Sequence, residues 1–337
     1  MKKHIEKCLS GQHLTISEAS SALDTIMTGQ ATESQIAGLM IALRAKGETV
    51  DEIVGFARTM REHAVKLDIE DKNAIDMCGT GGDGLGTFNI STAASFVVAG
   101  AGVTVAKHGN RSVSSKSGSA DVLSALGVNV QCAPDVVQKC INSIGIGFIF
   151  APLFHPAMKY AAKPRMELGV RSIFNMLGPL TNPAGVKRQL LGVYNPDVAP
   201  TLATALQKLG AEKACVVHSD DGMDEVTLSG STIVDEINGI EPLKEYHLHA
   251  KDFGLPEYKI DSIKGGDKDV NAEIILNILN GGKKPARDIV VANAALGIYV
   301  AGKADTIIEG KNRAEESIDS GRALDKLQQL IKYTNLA

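Results

Sequence analysis

Five of the eight residues from Gly79 to Gly86 are glycine, and the run stands between an apolar segment, Ala74 to Cys78, and a helix-forming segment that opens near Ser91. Glycine loses more backbone freedom on ordering than any other residue, so such a run does not sit inside a helix or strand. The chain must turn there, from strand into helix. The stretch reads Asp76-Met77-Cys78-Gly79-Thr80-Gly81-Gly82-Asp83-Gly84-Leu85-Gly86-Thr87-Phe88-Asn89-Ile90-Ser91-Thr92. Glycines let backbone amides approach an anion closely, and a helix N-terminus adds a favourable dipole, so the pattern predicts a phosphate cradle. It is neither a Walker loop, lacking a closing Gly-Lys-Ser/Thr, nor a dinucleotide fingerprint in its usual spacing.

The chain around this loop divides by periodicity. Its 337 residues predict about two domains. Thr15-x-x-Glu18, Thr32-x-x-Gln35 and Thr49-x-x-Glu52 are capping boxes and predict three consecutive helices. In the second, Ile36, Leu39, Met40 and Leu43 form the apolar stripe and Gly47 the stop; in the third the stripe is Ile53, Ala57, Met60 and Ala64. After Asp68 short apolar strands alternate with helices: Ala74 to Cys78, Val103 to Lys107, Val128 to Val130, Ile146 to Phe150, Leu190 to Val193 and Ala214 to His218. The fold class is therefore α/β, a mainly parallel central sheet flanked by helices, with a smaller all-helical domain. The helical domain spans 1–68, joined by about 165–188, and the α/β domain spans 69–164 and 189–337. The segment His155 to Arg188 reads as helix followed by a turn-rich stretch, Gly178 to Pro183, and Lys311 to Leu330 as one closing amphipathic helix.

Two more loops follow predicted strands. Lys107-His108-Gly109-Asn110-Arg111-Ser112-Val113-Ser114-Ser115 continues through Lys116 and Ser119 to Asp121, with three cations among hydroxyls and glycines. Strand carboxyl ends share one edge of a parallel sheet, so this loop and the glycine loop can grip one polyphosphate. The third reads Ser219-Asp220-Asp221-Gly222-Met223-Asp224-Glu225. Carboxylates crowded at a strand end repel one another unless a cation offsets them, and Mg²⁺ with retained waters and phosphate oxygens does so. A net charge of −4 argues against a nucleic-acid partner. Five scattered cysteines with no Cys-x-x-Cys pair argue against a disulfide framework or zinc site, and no apolar run of membrane-spanning length occurs. The expected location is the cytoplasm.

In order and approximate spacing these loops resemble those of the anthranilate phosphoribosyltransferases of tryptophan biosynthesis, and the resemblance covers essentially the whole chain. It implies transfer of the phosphoribosyl group of 5-phosphoribosyl 1-pyrophosphate to the amine of anthranilate, with release of pyrophosphate. It also implies that Gly79, Gly82, Asp83, Thr87, Asn89, Ile90, Ser91 and Thr92 hold phosphoribosyl pyrophosphate, together with Lys107, His108, Gly109, Asn110, Arg111, Ser112, Val113, Ser114, Ser115 and Ser119. Anthranilate falls to Gly79, Asn110 and Arg165, with His108 at its entry and Pro164 starting the helix that carries Arg165. Two Mg²⁺ ions fall to Ser91, Asp224 and Glu225. The implied catalysis is electrostatic and positional, with no nucleophile, and the implied assembly is a homodimer through the helical domain. Two departures stand out, Ser219 where relatives often carry glycine and Met158 where some carry an aromatic residue. The alternatives are a pyrimidine nucleoside phosphorylase and a non-catalytic nucleic-acid-binding paralogue. The first favours a Lys-His-Ser-Gly-Gly first loop, absent here, and the second should lack Asp224 and Glu225, which are present.

Overall fold

The computed structural model describes residues 1–112, 116–283 and 285–336. Four helices open the chain: α1 (Lys2–Leu9), α2 (Ile16–Met27), α3 (Glu33–Lys46) and α4 (Val50–Glu62). The three capping boxes form as predicted at Thr15, Thr32 and Thr49. Glu52 does more than cap α4: its carboxylate also receives the Leu14 N–H at 2.8 Å and Lys46 Nζ at 2.6 Å, drawing the ends of three helices together. α1 is an addition to the predicted set, since its charged sequence carries only His4 and Cys8 inward. Ala64 falls beyond the end of α4, which stops at Glu62.

The sheet has seven strands: β1 (Ile75–Gly79), β2 (Val105–Gly109), β3 (Ile146–Phe150), β4 (Arg188–Gly192), β5 (Lys213–Ser219), β6 (Ser231–Asn238) and β7 (Lys244–His249). Their order is β3-β2-β1-β4-β5-β6-β7. The pairings from β3 through β5 are parallel, and β6 and β7 add an antiparallel edge. Val128 to Val130 is not a strand. Val128 and Val130 are buried in a loop, fixed in part by the Asn129 N–H on Thr334 Oγ1 at 3.2 Å, so burial rather than pairing accounts for the apolar run.

Alternate strand residues face opposite layers, as a period of two requires. Leu190, Cys215 and Val217 pack with Ile90–Gly100, Pro285–Val300, Ile307–Asp319 and Arg322–Asn335. Leu191, Ala214 and Val216 pack with α1–α4, Ala199–Lys208 and the segment from Ala161 to Leu180. The predicted closing helix is two helices, because Gly321 takes a left-handed conformation (φ 78°) between them. Residues 155–188 are likewise broken into short pieces, of which Lys159–Leu168 is the longest.

From β1 the chain steps outward to β2 and β3, and from β4 it steps the other way to β5. The order therefore reverses between β1 and β4. In an open parallel sheet, that reversal leaves a crevice outside the strand carboxyl ends. The glycine loop leaves β1 at this point.

Candidate active site

Backbone geometry builds the crevice first. Thr80 N–H bonds the Gly192 carbonyl at 2.9 Å, and Thr80 Oγ1 accepts the Tyr194 N–H at 3.2 Å, joining the ends of β1 and β4. Gly81, Gly82, Gly84 and Gly86 all have positive φ (64° to 85°), the region that only glycine enters without cost. Asn89 then leads into helix α5 (Ile90–Gly100), with its side chain turned to other loops rather than capping the helix.

The third loop folds back across this opening. Asp224 lies against Gly79 and Gly192, where a side chain on either glycine would collide with it. Its Oδ2 accepts the Gly81 N–H at 2.9 Å, and Glu225 Oε1 accepts the Ser91 N–H at 3.0 Å. Two neighbouring carboxylates thus hold the glycine loop and the α5 N-terminus. Burial first, and then repulsion from Asp83, pushes Asp224 up to about 7; burial and Asp224 push Glu225 up to about 8. Ser219, the residue that stands in place of glycine, is fully buried and donates to the Glu225 carbonyl at 2.6 Å, fixing the turn.

Lys107 supplies the nearest cation. It is buried within β2, with Nζ on the Met77 carbonyl and 3.5 Å from Ser91 Oγ. Burial depresses its pKa against the pull of Asp76 and Glu225. Asp76 is completely buried and accepts the His108 N–H at 3.0 Å and Asn182 Nδ2 at 2.9 Å, which locks β1 to β2. Carboxylates and a serine hydroxyl form a hard oxygen donor set suited to Mg²⁺. Among the described residues no three His, Cys, Asp or Glu side chains close a cage, and the mutual repulsion of Asp83, Asp224 and Glu225 favours an ion that arrives with its own phosphate and water ligands.

The basic loop continues from β2. Asp121 organises it by accepting Ser112 N–H at 3.1 Å, Gly118 N–H at 3.0 Å and Arg111 Nη1 at 2.8 Å. Nothing in the local sequence pattern assigns Asp121 this role. Asn110 uses its side-chain oxygen on the Arg111 N–H at 2.7 Å, and its carbonyl accepts Ser119 Oγ at 3.2 Å. Asn89 ties the glycine loop to the basic loop through Nδ2 on the Ser117 carbonyl at 3.1 Å, and Asn271, 182 residues away, holds the Asn89 side-chain amide oxygen at 3.0 Å. No sequence signal pointed to Asn271. Gly109 packs closely on Ser119 and Phe148; Ile90 and Thr92 are buried in α5, and Thr87 bridges to Lys264. Val113, Ser114 and Ser115 lie outside the described residues.

Arg165 rests on the opposite wall, 5.3 Å above the Phe174 ring. Pro164 lies inside the helix Lys159–Leu168 rather than at its start, because a turn at Pro156–Met158 already leads the chain into that helix. His108 Nδ1 lies 3.1 Å from the Gly178 carbonyl. A carbonyl only accepts, so Nδ1 carries the proton and Nε2 keeps its lone pair, buried and without a partner. Burial and neighbouring His155 push His108 down to about 3. His108 and Arg165 therefore both reach the strip from Phe174 to Gly178.

A mainly parallel sheet with a helical bundle and a glycine-lined crevice at its switch point defines a class. The chain matches the model of the glycosyl transferase family a/b domain over residues 71–324 and that family's helical bundle domain over residues 2–64. It is 52% identical to anthranilate phosphoribosyltransferase of Moorella thermoacetica over 99% of this chain and 98% of that one. The anthranilate phosphoribosyltransferase structure from Thermus thermophilus superposes with a TM-score of 0.93 at 41% identity, covering 98% of this chain and 99% of that one. The Saccharomyces cerevisiae enzyme in complex with phosphoribosyl pyrophosphate and Mg gives 0.92 at 29% identity, over 100% and 98%. The chain belongs to the anthranilate phosphoribosyltransferase family.

Proposed function

We propose that the chain transfers the phosphoribosyl group of 5-phosphoribosyl 1-pyrophosphate to the amine of anthranilate, releasing pyrophosphate. The observation that carries this reading is the hold of Asp224 and Glu225 on the Gly81 and Ser91 N–H groups. It sets a carboxylate pair beside a glycine-rich anion cradle, where a metal diphosphate meets both. The relatives point the same way: one yeast structure contains phosphoribosyl pyrophosphate and Mg, and another contains 4-fluoroanthranilate.

In this reading the glycine loop and the α5 N-terminus receive the diphosphate through backbone N–H groups, and the basic loop covers the phosphoribosyl portion. Ser91, Asp224 and Glu225 would hold two Mg²⁺ ions, which would supply charge stabilisation for the pyrophosphate leaving group. Arg165 takes the anthranilate carboxylate on the opposite wall. The amine attacks C1 of the ribose as the C1–O bond breaks. An aromatic amine is neutral at pH 7, so no strong base is required, and buried His108, kept neutral, supplies none. Alignment and charge stabilisation supply the acceleration, with no covalent enzyme intermediate.

The work is divided between a helical domain, 1–68 with about 165–188, and an α/β domain, 69–164 with 189–337. The packing of Ala161 to Leu180 with α1–α4 supports that division. Exposed Leu9 and Ile41 on α1 and α3 support a homodimer through the helical domain. Among the described residues no helix is long and apolar enough to cross a membrane, in keeping with work in the cytoplasm.

The test is anthranilate fluorescence followed in time with phosphoribosyl pyrophosphate and Mg²⁺. A decay abolished by EDTA is expected. Phosphorolysis of thymidine or uridine without that decay would favour the nucleoside phosphorylase reading instead.

A further inference from the structure

Arg171 is a cation without a carboxylate partner among the described residues, although it stands at the rim of the crevice. Its Nη2 donates to the Gly82 carbonyl at 2.6 Å, and its guanidinium lies 3.7 Å over the Tyr194 ring. Its own carbonyl accepts from Arg44 Nη1 on α3. One residue thus links a helix of the opening bundle, the end of β4 and the centre of the glycine loop. The fit is close: a Cβ on Gly82 would stand 2.5 Å from Arg171 Nη2.

The chemistry of that contact lies in the peptide plane. In a trans peptide the C=O and the following N–H point in opposite directions. Holding the Gly82 oxygen on Arg171 therefore commits the Asp83 N–H to the other side of the loop. Gly81 and Gly82 have φ of 64° and 85°, and a glycine pair without side chains has little else to choose between its peptide orientations. From the other side, Asp224 holds the Gly81 N–H at 2.9 Å. The loop is thus pinned at one oxygen by a cation and at one N–H by a carboxylate.

We propose that Arg171 is a positioning residue that sets the Gly82–Asp83 peptide in its anion-receiving orientation and couples α3 to the glycine loop. The proposal rests on the reading of that loop as the cradle for phosphoribosyl pyrophosphate. Arg171 acts through the loop and touches neither the amine nor C1. Tyr194 contributes by holding the guanidinium flat, a role lysine does not fill because it lacks a planar face.

The test is steady-state kinetics of the full chain and of Arg171→Ala and Arg171→Lys, each substrate varied in turn, with thermal unfolding to show that the variants fold. Arg171→Ala should raise the KM for phosphoribosyl pyrophosphate about tenfold to a hundredfold, the range for a hydrogen bond from a charged donor, and leave that for anthranilate within about twofold. Millimolar guanidinium should restore part of the loss by docking between Tyr194 and the Gly82 oxygen. Arg171→Lys should recover little, and Tyr194→Leu should shift the same KM by less. An unchanged KM, or an equal rise for both substrates without rescue, would overturn the proposal. Should the wild-type protein bind phosphoribosyl pyrophosphate yet turn nothing over, the proposed function fails. The ratio of calorimetric affinities of wild type and Arg171→Ala still decides the role of Arg171.

Discussion

The two walls of the crevice handle charge in opposite ways. On the sheet side Asp83, Asp224 and Glu225 crowd together, with Glu225 beside the buried Lys107, and burial with mutual repulsion raises both Asp224 and Glu225 toward neutrality. On the helical side Arg165 lies over an aromatic ring, while His108 on β2, which reaches across to the Gly178 carbonyl, and its neighbour His155 are buried and pushed down to about 3 and about 4. The sheet wall is frustrated until a cation and an anion arrive together. The helical wall presents the Arg165 guanidinium, held over the Phe174 ring. A metal diphosphate and a flat aromatic acid suit these two environments.

Removing one charge from the sheet wall should have the largest effect. Asp224→Asn keeps an acceptor for the Gly81 N–H but loses the charge, and turnover with saturating Mg²⁺ should fall about a thousandfold in kcat/KM. A loss of only a few-fold would erase the distinction between the walls. Arg165→Ala should raise the anthranilate KM about tenfold to a hundredfold, as loss of a charge-assisted contact does, and leave the KM for phosphoribosyl pyrophosphate unchanged. Equal loss of both would place the acceptor elsewhere.

A smaller effect separates the walls by pH. Asp224 and Glu225 titrate above their ordinary values of 3.8 and 4.5, so the folded chain holds protons that the unfolded chain releases. Their stabilising share is complete below about pH 4 and is lost as pH rises through about 7 and about 8. His108 and His155 act in the reverse sense, but only below their ordinary 6.5. Lys107, depressed by burial, opposes the carboxylates from the alkaline side. The contrast with Glu225→Gln isolates the carboxylate share. Between pH 6.5 and 8 the wild-type protein without ligands should lose about 2–4 °C more in Tm than the variant, measured by calorimetry. Parallel slopes would mean that Glu225 is not perturbed.

The sheet wall was legible in the sequence because its chemistry is local. Glycines, the serine at a helix start and the paired carboxylates each follow a strand, and strand ends share an edge. The capping boxes were legible for the same reason: Thr15 and Glu18 satisfy each other within one turn. What escaped depends on distance. Val128 to Val130 reads as a strand but is a buried loop, since burial alone produces an apolar run. The β6 and β7 edge lies beyond the last predicted strand, Ala214 to His218, although Asn238-Gly239 between the two is a hairpin-turn pair that marks it. Asn271 and Asp121 carry hydrogen bonds that fix the glycine loop and the basic loop, yet nothing near them in sequence shows what they face. Arg165 was found through family resemblance rather than local pattern, and Pro164 was placed one turn and a half too early because the short turn at Pro156–Met158 was not anticipated.

The central claim is that the carboxylate pair holds protons until a metal diphosphate displaces them. Calorimetric titration of preformed Mg²⁺–phosphoribosyl pyrophosphate into the protein at pH 7, in two buffers of different ionisation enthalpy, counts those protons directly. Net proton release that shrinks in Glu225→Gln is the predicted result. Proton uptake, or the same count in both proteins, would contradict it.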